Sequence, residues 1–423
     1  MSRQATTTLP GRAMSTDAFL GLAMGAASAL GYVFVLVLSR ALGPGDFGGF
    51  SSLNSIGIVL AIPAGAFQVV VAAQVARRGP AALDLRLPLA VGVFGCVITI
   101  ALSPALAHVT RVDSVLAPAV VALGLIPLTV NGALMGGLLG MRRIGALSCV
   151  YLVAGTTRVL AAAVVAALGL GVVASFVLIV IATTLTAALS WWFCREHAQL
   201  SWSSPAGSRL RAVRALYRSN SSMGVLMALT TVDVVLARYV LSGIESGEYA
   251  LVASLGRAPV WATQFLALAL VPALARSGSV RSVLRAAALV VGVSLIGIGV
   301  AGAAPDLWIG VLGGSAYNGA SGLLVPYLVF GTLLALAQVL VVAEMAQGRH
   351  LLAKVAWAAV VFEVILVLGV WHENVFQVLG AATVATALVV VVGGSELVLH
   401  RRTHPARDEA PADCAEPLAR DLS

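Results

Sequence analysis

Four charged side chains lie inside long apolar stretches of this sequence: Asp233, Arg257, Arg158 and Glu363. A charge at the centre of a membrane costs about 2.5–3.5 kcal/mol on insertion scales, so each residue of this kind needs a partner or a function. Arginine can bind a diphosphate through two parallel hydrogen bonds, and a buried carboxylate can take up a proton or pair with a cation. The chemistry available to these residues is therefore anion binding and the exchange of a cation or proton.

Arg257 shares one helical face with Ser254, Trp261 and Gln264, since these residues are three, four and seven positions apart. It lies about 15 Å from the outer end of its predicted helix at the rise of an α-helix, and Asp233 lies at a similar depth in the helix before it. Two interpretations stay open. Arg257 could line a wet substrate cavity with Trp261 and Gln264, or it could form an internal ion pair with Asp233, and one residue could do both.

Asp233 and Glu363 also have two interpretations each, and Arg158 has one. Asp233 is favoured as the structural partner of its arginine, with binding of Na⁺ or a proton as the alternative. Arg158 has no acid of the first half of the chain at its depth, so we expect it to face a cavity and contact substrate. Glu363 is a candidate for ion coupling or for a salt bridge to a cavity arginine.

Several weaker signals complete the candidate site. Asn54 and Gln68 could line a substrate path, although polar residues also bridge helices. Arg40 and Arg238 end their predicted helices, where snorkelling to the surface or capping of the helix C-terminus would explain them. The six histidines are scattered and no CxxC motif or P-loop lysine occurs, so neither a metal nor a cofactor is expected.

The composition indicates which kind of element must position these residues. Of 423 residues, 60% are hydrophobic and only 10% are charged, and the mean hydropathy is +0.99. Soluble proteins are typically about 25% charged. The chain is therefore expected to be an all-α polytopic membrane protein.

Twelve apolar stretches are long enough to span a bilayer as helices. They are 17–39, 46–75, 85–107, 113–140, 144–168, 171–195, 217–241, 247–275, 283–304, 320–346, 350–370 and 375–399. The predicted organisation is a disordered N-terminus (1–16), an N-lobe of helices 1–6 (17–195), a basic linker (196–216), a C-lobe of helices 7–12 (217–400) and a disordered tail (401–423).

The distribution of basic residues predicts the orientation in the membrane. With both termini in the cytoplasm, 21 of the 26 arginines and lysines fall in inside segments. An excess of arginine and lysine in the cytoplasmic segments is the asymmetry that sets membrane topology. The net charge of +8 is thereby explained by topology and by contact with anionic membrane lipids, and nucleic acid is not expected as a partner.

The two halves of the chain carry a repeated pattern. Span 1 ends at Arg40 and span 7 at Arg238, and each is followed by a turn and a Gly-x-aromatic sequence, Gly48-Gly49-Phe50 and Gly247-Glu248-Tyr249. From Phe50 to Arg77 is 27 residues, and from Tyr249 to Arg276 is also 27. Six spans per half, an even number, give two lobes in parallel orientation, as in many transporters.

These motifs carry a family resemblance. LSRALGPGDFGGFSSL resembles the first outer turn of bacterial polysaccharide flippases, the O-antigen-type members of the multidrug/oligosaccharidyl-lipid/polysaccharide exporter superfamily. TTVDVVLARYVLSGIESGEYALVASLGR resembles the seventh and eighth helices of that family, where an Asp precedes a Gly-x-Tyr. The second turn departs from the pattern, because it reads Ser242-Gly243-Ile244 without the usual Gly-Pro.

The resemblance implies a non-enzymatic flippase in the bacterial cytoplasmic membrane. Its substrate would be a polyprenyl-pyrophosphate-linked oligosaccharide, moved from the inner to the outer leaflet by alternating access during synthesis of cell-surface polysaccharide. Glycosyltransferases and a polysaccharide polymerase would be partners, and no cofactor beyond a coupling Na⁺ or H⁺ is implied.

Two other functions stay open. One is an ion-coupled antiporter of drugs or organic cations with the same fold, which would want a carboxylate in span 1. That span has no acid between Ala18 and Ser39. The other is a membrane scaffold that does not transport and that serves cell-envelope assembly. A catalytic function is disfavoured because the loops outside the membrane are short.

Overall fold

The computed structural model describes residues 11–80, 83–196, 224–260, 280–347 and 349–403, and within these ranges the chain is almost wholly helical. The first half contains α1 Gly11–Leu60, α2 Ile62–Arg78, α3 Arg86–Ala101, α4 Ser103–Thr110, α5 Leu116–Gly140, α6 Ile144–Leu168 and α7 Val172–Cys194. In the second half, a helical stretch at 224–229 precedes α8 Val232–Val240, α9 Gly243–Gly256, α10 Val280–Ala303, α11 Pro305–Leu312, a 3-10 helix Ser315–Ala320, α12 Ser321–Ala346, α13 Leu351–Gly369 and α14 Val375–Thr403.

All twelve predicted spans coincide with helices, although spans 7 and 8 are described only in part. Within the described ranges, eight helices are long and apolar enough to cross a membrane, or up to nine if the bent pair α3–α4 is one span. The number is below twelve because spans 1 and 2 count there as one stretch, Phe19–Arg78, and because spans 7 and 8 are incomplete. The fold is that of an all-α polytopic membrane protein.

The structure differs from the predicted boundaries at several places. α1 begins at Gly11 and α14 ends at Thr403, so each helix extends into a terminal segment predicted to be disordered. The third span is bent by 65° between α3 and α4, because Pro104 in the first turn of α4 has no N–H to donate to the carbonyl of Ile100 in α3. Most of the predicted linker 196–216 lies outside the described residues.

The chain divides into two compact units. Unit 1 comprises Met1–Leu42 and Leu60–Asn220, and unit 2 comprises Gly43–Val59 and Ser221–Ser423. The segment Gly43–Val59, which the sequence places in the N-lobe, is therefore part of the unit built mainly from the second half.

In unit 1, α5 is the central helix and packs against α2, α3 and α7. Three glycines of α5 spaced four residues apart, Gly132, Gly136 and Gly140, lie directly against backbone carbonyls of α2. A Cβ at Gly136 would meet the backbone of Gln68. Such a row of small residues lets two helix backbones approach closely, which is how membrane helices gain packing energy.

We expect Gly136→Ala to destabilise unit 1, because its new methyl group would lie against a backbone that cannot rotate away. The cost of such overpacking is typically about 1–3 kcal/mol. Gly145→Ala is the matched control, since no atom of the described residues lies within 4 Å of a Cβ there. Thermal unfolding of the purified protein in detergent would measure the difference, and equal melting temperatures for the two variants would contradict the packing assignment.

In unit 2, α12 has the central position and packs against α9, α10 and α14. α5 contains the fourth predicted span and α12 the tenth, so the same member of each six-helix half lies at the centre of its unit. This agreement is what an internal repeat requires.

Large apolar side chains also cover the outer faces of the helices. Examples with more than half of their surface exposed are Leu22, Phe94, Leu185, Ile296, Ile365 and Val391. Exposed apolar surface of this extent on long helices is suited to lipid and not to water.

Candidate functional site: a buried charge cluster at two helix breaks

The seventh span is interrupted two residues before Asp233. Helical structure stops at Thr230 and resumes at Val232 as α8. The hydroxyls of Thr230 and Thr231 donate to the carbonyl of Met227 at 2.9 and 2.7 Å, and hydroxyl groups that compete for helix carbonyls in this way bend or break helices. Asp233 consequently lies in the first turn of a new helix.

The eighth span is interrupted at Arg257. α9 ends at Gly256, and Arg257 has φ −84° and ψ 1°, outside the helical conformation. Pro259 has no N–H for the carbonyl of Leu255, which favours a break at this point. Gly256 lies against the ring of Tyr327 on α12, so the break is held at a close crossing of two helices.

The two breaks bring Asp233 and Arg257 into direct contact. Arg257 Nη2 donates to Asp233 Oδ1 at 2.7 Å and to the hydroxyl of Tyr327 at 3.1 Å. Asp233 Oδ2 accepts hydrogen bonds from the hydroxyls of Tyr327 and Tyr249. Asp233 is fully buried, while 13% of the Arg257 side chain is exposed. One carboxylate therefore joins α8, α9 and α12.

The helix ends around this ion pair suit its charges. Asp233 lies at the N-terminus of α8, where unpaired N–H groups give a partial positive charge, and Arg257 lies at the C-terminus of α9, where the partial charge is negative. Each side chain is thus stabilised by the end of its own helix as well as by its partner.

Glu363 lies next to this ion pair but does not join it. It is fully buried on α13, which packs against α8, and it interacts electrostatically with Asp233 and Arg257. Neither of its carboxylate oxygens has a hydrogen-bond partner among the residues that the structure describes, and the same is true of Arg257 Nε. Among the described residues, Glu363 and Arg257 thus each keep a hydrogen-bonding group that no neighbour uses.

The predicted residues of unit 1 form a separate group. Arg158 is exposed in the middle of α6, without a hydrogen bond or ion pair in the described ranges. Gln68 on α2 donates from Nε2 to the hydroxyl of Tyr151 at 2.9 Å. Because Tyr151 and Arg158 are seven residues apart, they occupy one face of α6.

The remaining predicted site residues are not brought into either group. Asn54 is half-buried in the Gly43–Val59 segment of unit 2. Trp261 and Gln264 lie outside the described residues, so the proposed cavity face of Arg257 is seen only at Ser254 and Arg257 itself. Within the described ranges, no group of three or more His, Cys, Asp or Glu side chains could hold a metal ion.

Sequence reasoning missed two hydroxyls and misjudged one arginine. Tyr249 and Tyr327 are both fully buried, and a phenol in the middle of an apolar helix is itself a signal, because a buried hydroxyl needs a polar partner. Arg238 was expected to snorkel or to cap the C-terminus of its helix, yet only 9% of it is exposed, because its guanidinium bonds to Gly45, Gly243 and Ser246.

Comparison with known proteins identifies the fold. No protein-family model matches the chain, and no curated protein matches it in sequence. Solved structures do match over almost the whole chain. An inward-facing multidrug resistance transporter of the MATE family and MOP superfamily has a TM-score of 0.73 at 12% identity, over 89% of this chain and 96% of that one.

Two further structures agree with this result. The lipid II flippase MurJ in an inward closed conformation has a TM-score of 0.71 at 10% identity, over 90% of this chain and 87% of that one. A MOP superfamily transporter from Pyrococcus furiosus, described as having a binding pocket of reverse polarity, has a TM-score of 0.56 at 13% identity, over 93% and 96%. The chain thus has the fold of the MOP superfamily transporters.

Proposed function

We propose that this protein is a flippase that moves a polyprenyl-pyrophosphate-linked oligosaccharide from the inner to the outer leaflet of the bacterial cytoplasmic membrane. The observation that carries the proposal is the buried Asp233–Arg257 ion pair at the two helix breaks. Transporters bind charged substrates at discontinuous helices near the bilayer midplane, and intramembrane charges mark such sites. The fold shared with MurJ and MATE transporters is compatible with it.

Arg257 has the chemistry to bind a pyrophosphate. Only Nη2 takes part in the ion pair and the Tyr327 hydrogen bond, while Nε has no partner in the described ranges. A guanidinium presents five donors in a planar fork that matches phosphate oxygens. Because this Nε is buried, a pyrophosphate would reach it only when the guanidinium turns away from Asp233.

Binding of this anion would also change the protein. A pyrophosphate on Arg257 competes with Asp233 for the same guanidinium, and a weakened ion pair loosens the connection of α8 to α9. Substrate binding is thereby linked to helix movement, which alternating access requires. Within unit 1, we propose separately that Arg158 contacts an anionic group of the substrate, with Gln68 and Tyr151 as polar contacts for its sugars.

We propose Glu363 as the group that couples transport to an ion gradient of H⁺ or Na⁺. Among the described residues its buried carboxyl group has no hydrogen-bond partner, and it interacts electrostatically with Asp233 and Arg257. When a substrate draws Arg257 away from Asp233, the cluster gains net negative charge, and uptake of a proton or cation would compensate for it.

Glu363→Gln is expected to leave insertion and melting temperature nearly unchanged, because the amide has the same shape and carries no charge. Transport should then stop responding to an imposed H⁺ or Na⁺ gradient, with at least a tenfold loss of gradient-driven rate. Glu373→Gln, in the exposed turn before α14, is the matched control. Proteoliposomes with and without each gradient provide the measurement, and an unchanged response of Glu363→Gln would remove this residue from coupling.

The substrate itself is tested by reconstitution. Proteoliposomes that contain the protein and a fluorescent polyprenyl-pyrophosphate oligosaccharide should move the glycan to the leaflet where an added glycosidase can cleave it. A strain that lacks the protein should accumulate lipid-linked glycan in the inner leaflet. The proposed partners of the protein are the glycosyltransferases that make this glycan and the polymerase that extends it. Efflux of drugs by proteoliposomes that leave the glycan unmoved would favour the antiporter, and movement of neither would favour the scaffold.

A further inference from the structure

A cleft opens at the end of unit 2 that is predicted to face the cytoplasm. It lies between the start of α10, the last turn of α12 and the later part of α14, and the start of α13 closes its inner end. Each of these four helices contributes an apolar side chain to its floor: Val283, Leu340, Leu397 and Leu352. The cleft can therefore take an apolar group at its base.

The mouth of the cleft carries two charges of opposite sign. Arg349 Nη2 donates to Glu396 Oε1 at 2.7 Å, and the two side chains are 42% and 20% exposed. An ion pair this exposed contributes only about 0–1 kcal/mol, so both groups can change partners at little cost.

A third charge beside the cleft is already satisfied. Glu344 is 5% exposed, and its two carboxylate oxygens accept the N–H groups of Leu351 and Leu352 at 2.7 Å each. These N–H groups belong to the first turn of α13, which has no intrahelical acceptors for them. Of the charged side chains that the structure describes at this cleft, Arg349 and Glu396 are thus the two that a ligand can reach.

The same place in unit 1 is filled by the chain itself. α3, α5 and α7 are the third, fourth and sixth spans of the first half, as α10, α12 and α14 are of the second. Just before α3, Leu83 and Leu85 are at most 3% exposed and belong to one buried cluster with Leu138 of α5 and Cys194 of α7. Unit 1 thereby supplies its own apolar filling at this level.

The described part of unit 2 has no such pair of buried leucines before its third helix. When Arg77 is aligned with Arg276, Leu83 corresponds to Ser282 and Leu85 to Leu284. Leu284 is 48% exposed, so it does not fill the cleft. Leu351 and Val398, at the same end of α13 and α14, are also about half exposed, and apolar side chains exposed on membrane helices are covered by lipid. In the predicted orientation, the mouth of the cleft therefore lies at the depth of the inner-leaflet headgroups.

We propose that this cleft binds a phospholipid of the inner leaflet whose headgroup carries a phosphate next to a primary ammonium, as in phosphatidylethanolamine. The phosphate pairs with the guanidinium of Arg349, whose parallel N–H donors match two of its oxygens. The ammonium donates to Glu396, and the start of an acyl chain lies on Val283 and Leu397. One ion pair within the protein is thus exchanged for two with the lipid, and every charge keeps a partner.

The charges of the pair also select against other headgroups. A lipid with a net negative headgroup would bind Arg349 but leave the carboxylate of Glu396 beside a second negative charge. A choline headgroup has no N–H to donate to Glu396. The pair therefore recognises the phosphate and the ammonium together.

The proposed lipid site is separate from the charge cluster of Asp233 and Arg257. Tyr327, which bonds to both of these residues, lies about 30 Å from Gln347 along the chain of α12 at the rise of an α-helix. A lipid bound at Arg349 would hold the ends of α12 and α14 together without entering the substrate path. The inference consequently does not depend on the proposed transport function.

Thermal unfolding of the purified protein in detergent tests the site by adding one lipid at a time. Phosphatidylethanolamine should raise the melting temperature by about 2–4 °C more than equal amounts of phosphatidylcholine or phosphatidylglycerol, because a ligand that binds only the folded state stabilises it. Arg349→Ala and Glu396→Gln should each remove most of this difference. Arg285→Ala is the matched control and should keep it, since Arg285 is an exposed basic residue of α10 outside the cleft.

Each variant is compared with itself with and without lipid, so a general loss of stability does not imitate loss of the site. Soluble phosphoethanolamine is the second probe, and it should give a smaller shift than the lipid, because it has no acyl chain for the apolar floor. An equal shift with phosphoethanolamine would overturn the lipid as the occupant. Equal shifts for the three lipids, or an ethanolamine effect that survives both Arg349→Ala and Glu396→Gln, would overturn the site itself.

Discussion

Arg257→Ala is expected to lower the rate of glycan flipping by at least two orders of magnitude. The variant loses the guanidinium proposed to bind pyrophosphate, and it leaves Asp233 as a fully buried carboxylate whose remaining partners among the described residues are two tyrosine hydroxyls. Removing one partner of a buried pair typically costs about 3–5 kcal/mol, because the other charge stays unpaired.

Arg257→Lys should restore only part of this activity. An ammonium group keeps the charge, but it is a point donor and cannot bind two phosphate oxygens and Asp233 in one plane. We expect a residual rate between those of the alanine variant and the native protein, with normal insertion in the membrane. The proteoliposome assay with the fluorescent glycan provides the measurement.

The control for this experiment is Arg349→Ala. Arg349 also has one carboxylate partner, Glu396 at 2.7 Å, but its side chain is 42% exposed, and exposed pairs contribute about 0–1 kcal/mol. Its loss should leave flipping nearly unchanged. Native rates for Arg257→Ala, in membranes that contain normal amounts of the protein, would remove Arg257 from the substrate path.

Asp233→Asn and Arg257→Gln together are expected to be less harmful than the two single changes predict. Each single variant leaves one charge buried without its counter-charge, whereas the double variant leaves two neutral amides that can bond to each other and to Tyr327. The coupling should be about 2 kcal/mol or more, within the range measured for residues in one hydrogen-bonded network.

Thermal or denaturant unfolding of all four proteins in detergent measures this coupling. The stability loss of the double variant is compared with the sum for the singles. A sum that agrees within about 0.5 kcal/mol would mean that the two residues act independently. Because the readout is stability, the result holds whatever the transported substrate is.

Sequence spacing could predict the depth of these charges but not their complete surroundings. A helix rises by a fixed length per residue, so Asp233 and Arg257 could be placed at similar depths in adjacent spans. The contribution of Tyr327 could not be predicted in this way, since it depends on how a third helix is rotated and how closely it crosses α9. The small size of Gly256 permits that crossing.

The helix breaks were only partly visible in the sequence. Pro259 indicated a kink close to Arg257, but the pair Thr230-Thr231 carries no such signal, because threonine is common in unbroken membrane helices and interrupts them only where its hydroxyl competes for a carbonyl. Twelve spans could be recognised by hydropathy alone because lipid requires long apolar helices.

Membership of Gly43–Val59 in unit 2 also has a consequence for synthesis of the chain. Phe47, Phe50 and Leu53 are buried residues of unit 2, and Phe47 packs against Tyr317, yet they leave the ribosome well before the second half of the chain. Unit 2 therefore cannot complete its own core until the second half has been inserted, and a split gene that cut the chain at the basic linker would encode two incomplete proteins. Contacts so distant in sequence slow folding. Folding of the second half therefore depends on a segment of the first half that is already in the membrane when the second half is inserted.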